Sequence, residues 1–304
     1  MPALYYDTLA ARTLRNSVSY LQQKMLFTSS RRDIQTLVRA GRDALLRGVP
    51  SEYKDDVVRV VEQAERAADT SWTTIHTDFY TPPVVSHAML AIQQLASVKA
   101  VPFGGYSQAE RQRIVMGQPE LVEALELDPS QENCVAALGV KGNFMFESAT
   151  HRDFLGSILG TGIERGKVGD IIILGETGAQ ILVAAELVEH FEQSLTQVRR
   201  VPVTTRQIDL SELTVRQPKT EQMRTVEASL RLDAVTSAGF RISRGKAADL
   251  IKHGDVRVNW REAKGSSVVK EGDVISCSGK GRIEVTSTNL TQKGRHAVEL
   301  TRYV

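Results

Sequence analysis

The residues best equipped for chemistry lie at the C-terminal end. The last 74 residues hold 14 Lys+Arg against 8 Asp+Glu, while the first 230 hold 24 against 28. A formal net charge of +2 therefore hides an acidic body and a basic tail unit. Within that unit Lys246, Lys252 and Arg257 alternate with Asp249, Asn259 and apolar positions. Lys and Arg neutralise phosphates and release counterions, and Asn or Ser can hydrogen-bond sugar and phosphate oxygens. A polyanion is the partner this chemistry fits. Cys134 and Cys277 are far apart and near no second Cys or His, so neither a metal site nor a disulfide framework is expected. A reducing compartment fits this cysteine usage.

Three other patterns mimic reactive sites. His151-Arg152-Asp153 looks like the kinase catalytic-loop triplet, but Ile158 stands where a magnesium-holding Asn is needed. The triplet reads as a helix start, with Asp153 near the positive end of the dipole. Gly156, Gly160 and Gly162 are spaced GxxxGxG rather than GxGxxG. Gly156 and Gly160 read as close-packing positions and Gly162 as a helix stop. Arg231-Leu232-Asp233-Ala234-Val235-Thr236-Ser237 resembles the signature in which pseudouridine synthases carry their nucleophilic Asp. Only 71 residues follow Asp233, and they read as a different small domain, so an RNA-modifying enzyme centred on Asp233 is the alternative rather than the main reading. No catalytic residues, metal or cofactor are expected.

The elements that position the basic residues follow from periodicity. Leu232, Val235 and Ala238 share one face of a short helix, with Gly239 and Phe240 turning the chain. Ser243 is an N-cap candidate for a second helix, in which Ala247, Ala248, Leu250 and Ile251 form the apolar arc and Gly254 the stop. DVRVNW then alternates as a strand, and two further strands follow. Upstream, residues 131–210 read β-α-β-β-α-β, a ferredoxin-like or RNA-recognition-like arrangement. Its expected strands lack the aromatic pairs that stack bases. Residues 33–130 read as α-rich, with Ile34, Leu37, Val38, Leu45 and Leu46 on a helical repeat and Pro82-Pro83 stopping helix. Residues 211–230 read as a polar linker that turns helical near its end. Residues 1–32 form a basic extension: positions 8–32 carry five basic residues, seven Ser or Thr and no acid, a transit-peptide composition. No apolar run reaches the length of a membrane span. The fold class is α+β: an α-rich N-terminal region, a βαββαβ middle domain and a small αα-β C-terminal domain over 231–304.

The ordered marks RLD, SRxxA, LIxxG, VxVN and EGDxI between Arg231 and Val285 resemble the small RNA-binding domain named after small-subunit ribosomal protein four. That resemblance implies an RNA face made of Arg231, Ser243, Arg244, Lys246, Lys252, Arg257, Asn259 and Lys264. Many members carry a basic residue where this chain has Ala248. GGYSQAER, HRDFLGSILGTGIERGKVGDI, TVEASLRLDAV, VNW and SGKGRIEV further resemble the YlmH family, in particular its cyanobacterial and plastid branch, labelled as a photosystem II protein. The resemblance implies a non-enzymatic binder of structured RNA, with ribosomal RNA, ribosome-bound tRNA or the large ribosomal subunit as partner. It also leaves open an adaptor role in photosystem assembly. A chloroplast stroma location is expected if residues 1–32 are a targeting segment, and a cytoplasmic one otherwise.

Overall fold

The computed structural model describes residues 44–70, 73–215 and 219–303. The basic extension and most of the first helix expected from the sequence lie outside the described residues. The described residues divide into two units, the first ending at Val61 and the second beginning at Glu62, with helix α1 (Ser51–Asp69) containing the boundary. In the first unit Val57, Val60 and Val61 are buried, on the spacing of an amphipathic helix.

The second unit begins with more β-structure than the sequence announces. A three-stranded antiparallel sheet has the order β1 (Ile75–His76), β3 (Arg113–Gly117), β2 (Lys99–Phe103). Helices α2 (Pro82–Ile92) and α3 (Pro119–Leu127) flank it, each opening with Pro in its first turn, where the missing N–H costs nothing.

The middle domain follows the expected order. Strands β4 (Val135–Gly142), β5 (Val168–Ile173), β6 (Gly178–Ala184), β7 (Gln197–Val198) and β8 (Val201–Ile208) form an antiparallel sheet ordered β5-β6-β4-β8-β7. Helices α4 (His151–Gly160) and α5 (Val188–Ser194) pack on one face through Phe154, Ile158 and Phe191. The kinase-like triplet opens α4 in a capping box: Thr150 N–H and Oγ1–H both donate to Asp153 Oδ2, at 2.8 and 2.7 Å. Gly156 and Gly160 are exposed and face open space, so the close-packing reading of them is wrong; Gly162, at φ 89°, does end the helix region.

The second face of this sheet is covered as well. Val135, Ala137, Leu182 and Ala184 pack with Phe79, Val115 and Leu125 of the N-terminal region in one buried cluster. β6 is buried along its whole length, and β4 from Val135 to Val140. This double burial explains why both strands read as continuous apolar runs. Polar groups fix the packing. Arg113, 4% exposed, donates from Nε to Thr77 O (2.6 Å) and from Nη1 to Cys134 O (2.6 Å), and pairs with Glu186 at 3.0 Å. Asp170 accepts from Tyr106 Oη and from the Glu110 and Arg111 N–H groups.

The expected linker is corrected by strand β9 (Thr220–Glu227), which pairs along its length with β14 (His296–Tyr303). Residues 220–227 are strand where helix was expected, because Met223 packs against the C-terminal core and an edge strand tolerates the polar alternation around it. The C-terminal sheet is ordered β11 (Arg261–Glu262), β10 (Val256–Val258), β12 (Val274–Cys277), β13 (Gly281–Leu290), β14, β9. Helices α6 (Leu232–Phe240) and α7 (Arg244–Lys252) pack on it around Leu232, Val235, Phe240, Ile251, Ile275, Ile283 and Leu300. Gly239 and Phe240 lie inside α6 rather than turning the chain, and Arg241 at φ 53° makes the turn. A Cβ on Gly239 would sit 2.3 Å from Ile283 Cδ1, so the helix needs Gly to approach the sheet. In the β10–β11 hairpin, Asn259 and Trp260 are the two loop residues, at φ 49° and 61°. Asn suits this turn. A left-handed Trp costs about 1–2 kcal/mol where Gly is usual.

Candidate nucleic-acid interface

The basic residues do not form one continuous set. Arg231, Lys252 and Lys264 line an open cleft of about 770 Å³ between α6, the end of α7 and the 262–266 loop. Asp233 sits on its floor with the side chain 10% exposed. Arg231 donates to it from Nε and Nη2, at 3.2 and 2.7 Å, and Arg244 from Nη2 at 2.9 Å. One buried carboxylate thus holds two arginines, whose side chains remain 42% and 57% exposed. The Arg231 hydrogen bonds keep the Asp233 carboxyl below the usual range against the opposing effect of burial, and Arg244 adds to the same direction.

The surrounding backbone fixes this floor. Leu232 N–H donates to Ser267 O and Asp233 N–H to Gly265 O, so the first turn of α6 is capped by the loop that carries Lys264. Ser243 caps α7 as expected, accepting from Lys246 N–H at 3.3 Å. Arg244, Ala248 and Lys252 share one side of α7 by their four-residue spacing, and Ala248 is an exposed part of the cleft wall rather than of the apolar arc. Lys246, also exposed, is two positions from Arg244 and falls on another side of the helix.

Two expected RNA-binding residues sit elsewhere. Asn259 Nδ2–H donates to Asp273 Oδ1 (2.8 Å), and its Oδ1 accepts from Val274 N–H (2.9 Å). Its amide is therefore occupied in tying the β10–β11 turn to the start of β12. Arg257 is partly buried on β10, outside the cleft lining. The structure brings together Arg231, Arg244, Lys252 and Lys264, places Ser243 at a cap, and separates Lys246, Arg257 and Asn259 from them. The role of Asp233 as the bracket for two arginines is not legible in the sequence, where it stands out only as a candidate nucleophile. Among the described residues, no group of three His, Cys, Asp or Glu could hold a metal, and no helix is long and apolar enough to cross a membrane.

Two short helices on a twisted sheet, with a cationic cleft at the start of the first, define an S4-type module, and residues 230–275 match the S4 domain. Residues 52–121 match the family described as "YlmH, N-terminal" and residues 129–212 the one described as "Putative RNA-binding domain in YlmH". A Bacillus subtilis (strain 168) protein named ribosome-associated protein quality control protein P2 is 33% identical over 255 residues, spanning 82% of this chain and 96% of that protein. The chain belongs to the YlmH family. A solved structure titled cell division protein ylmH from Streptococcus pneumoniae is similar over 53% of this chain and 92% of its own, at 20% identity and a TM-score of 0.42.

Proposed function

We propose that this protein binds structured RNA through the C-terminal cleft and acts without catalysis, with ribosomal RNA or ribosome-bound tRNA as its target. The observation that carries this reading is the bracket at Asp233, which holds two guanidiniums ready at a cleft that also presents Lys252 and Lys264. Planar guanidiniums held in place suit the paired oxygens of a phosphate. The name of the Bacillus subtilis relative supports the ribosome as the setting. The pseudouridine-synthase alternative is disfavoured because both Asp233 oxygens are already hydrogen-bonded to arginines. The cyanobacterial or plastid branch, its photosystem label and a stromal location belong to the same proposal; import of a reporter fused to residues 1–32 into isolated chloroplasts tests the location.

Arg244→Glu combined with Lys252→Glu tests the binding face. Affinity for a labelled structured RNA at low salt should fall at least about tenfold, with a salt dependence shallower by about one for each phosphate left without its cation. Lys246→Glu, on the other side of α7, should change little. Unchanged binding by the double variant, with its fold verified by circular dichroism, would place the interface elsewhere.

A further inference from the structure

A second recess lies away from the Asp233 cleft. It encloses about 500 Å³, a volume suited to a small planar ligand, between α2 and the β10–β11 hairpin. Trp260 and Arg261 come from the hairpin, Gln93 from the end of α2, Gln112 from the loop before β3, and Arg282 and Tyr303 from the sheet. Arg282 lies over the Tyr303 ring at 4.6 Å from its centroid, and Tyr303 Oη donates to Glu284 at 2.6 Å. Arg261 donates from Nη2 to Ser86 Oγ at 3.1 Å, while its Nε is buried without a hydrogen-bond partner. Two guanidiniums and one carboxylate line the recess; Glu110 pairs with Arg282 at 3.8 Å, a loose and exposed ion pair that a phosphate could replace.

The hairpin geometry gives the recess its meaning. Trp260 occupies a left-handed position that favours Gly, and strain of this kind in a bulky residue concentrates where a site must be formed. An indole face, amides that can both donate and accept, and two cations are the complement of a nucleotide. The base would stack on the indole, its edge would meet the amides, and its phosphate would meet Arg261 or Arg282.

We propose that this recess takes one unstacked nucleotide of the bound RNA, with Trp260 as the stacking platform. The inference rests on the RNA-binding reading above and adds base stacking to its phosphate pairing. The full chain has two tryptophans, so a Trp72→Phe variant leaves Trp260 as the sole indole reporter. Titration with labelled structured RNA carrying a single-stranded segment should quench Trp260 emission in step with the anisotropy of the RNA. Trp260→Ala should weaken binding roughly tenfold while leaving the salt dependence unchanged, because every cation that meets a phosphate remains. Trp260→Phe, which keeps an aromatic face and most of the packing, should retain part of the affinity. RNA that binds with Trp260 emission unchanged overturns the inference and leaves the cleft reading intact. RNA that fails to bind the parent protein overturns both. Quenching by a nucleoside monophosphate but not by bound RNA would assign the recess to a free nucleotide and overturn the RNA source.

Discussion

The middle sheet and the C-terminal module have exchanged the roles their folds would suggest. The βαββαβ sheet has the topology of an RNA-recognition platform, yet both faces of its central strands are buried, one under α4 and α5 and the other under Phe79, Val115 and Leu125. Its strands carry Val, Ala and Leu where a platform would carry aromatics. The C-terminal module is smaller and holds an open charged cleft. Each region also has a deeply placed charge with a different job. Arg113 joins two pieces of backbone and one carboxylate, which consumes it. Asp233 holds two arginines whose outer surfaces stay in solvent. Topology thus says little about function here, and the exposure of the partner groups says more.

Breaking the sealed side should give the largest effect. Phe79 is 1% exposed against the middle sheet, and Phe79→Ala should cost about 3–5 kcal/mol in urea unfolding through reduced burial and the cavity left behind. RNA affinity of the folded fraction should stay unchanged; a parallel loss would mean that the sheet takes part in binding.

Asp233→Asn probes the open side and should cost about 2 kcal/mol, the scale of hydrogen bonds to charged groups. Because the folded Asp233 carboxyl titrates below its unfolded value of about 3.9, its contribution is complete above that pH and is lost as pH falls through the folded pKa. The stability gap between parent and variant should therefore be constant near neutral pH and begin to narrow once the pH falls below about 3.9, as read from urea midpoints along an acid series. The variant should also bind RNA roughly fivefold more weakly, although it removes a negative charge from a cationic face, because two side chains lose their fixed positions. Tighter binding would show that charge alone governs the cleft.

The smallest effect is a gain. Ala248→Lys places a cation on the exposed cleft wall between Arg244 and Lys252. RNA binding should strengthen by roughly threefold, with a salt dependence steeper by about one phosphate.

The middle domain is legible in the sequence because its strands and helices are long enough to show their own periods. The N-terminal sheet is not: β1 has two residues, β2 contains Pro102, and both depend on β3 for pairing. β9 escapes a local reading because its partner, β14, lies some seventy residues downstream, beyond the reach of any local pattern. At the candidate interface the types and order of the basic residues are legible, and so is the Ser243 cap. Their grouping is not, since four cations converge only when the 262–266 loop closes over α6. The Asn259-Trp260 pair after a strand is the available signal for a turn that Gly would normally occupy.

The pairing of β9 with β14 also sets how the C-terminal module responds to force. Thr220 and Tyr303 are register partners at one end of an antiparallel pair, so the strand entering the module and the strand ending it are gripped at the same edge. Tension applied between the middle domain and residue 303 would load the rungs one after another, like a zipper, rather than all together in shear. The module is thus mechanically soft along its own chain, and a modest pull would peel away β9 while α6, α7 and the cleft they frame stayed assembled.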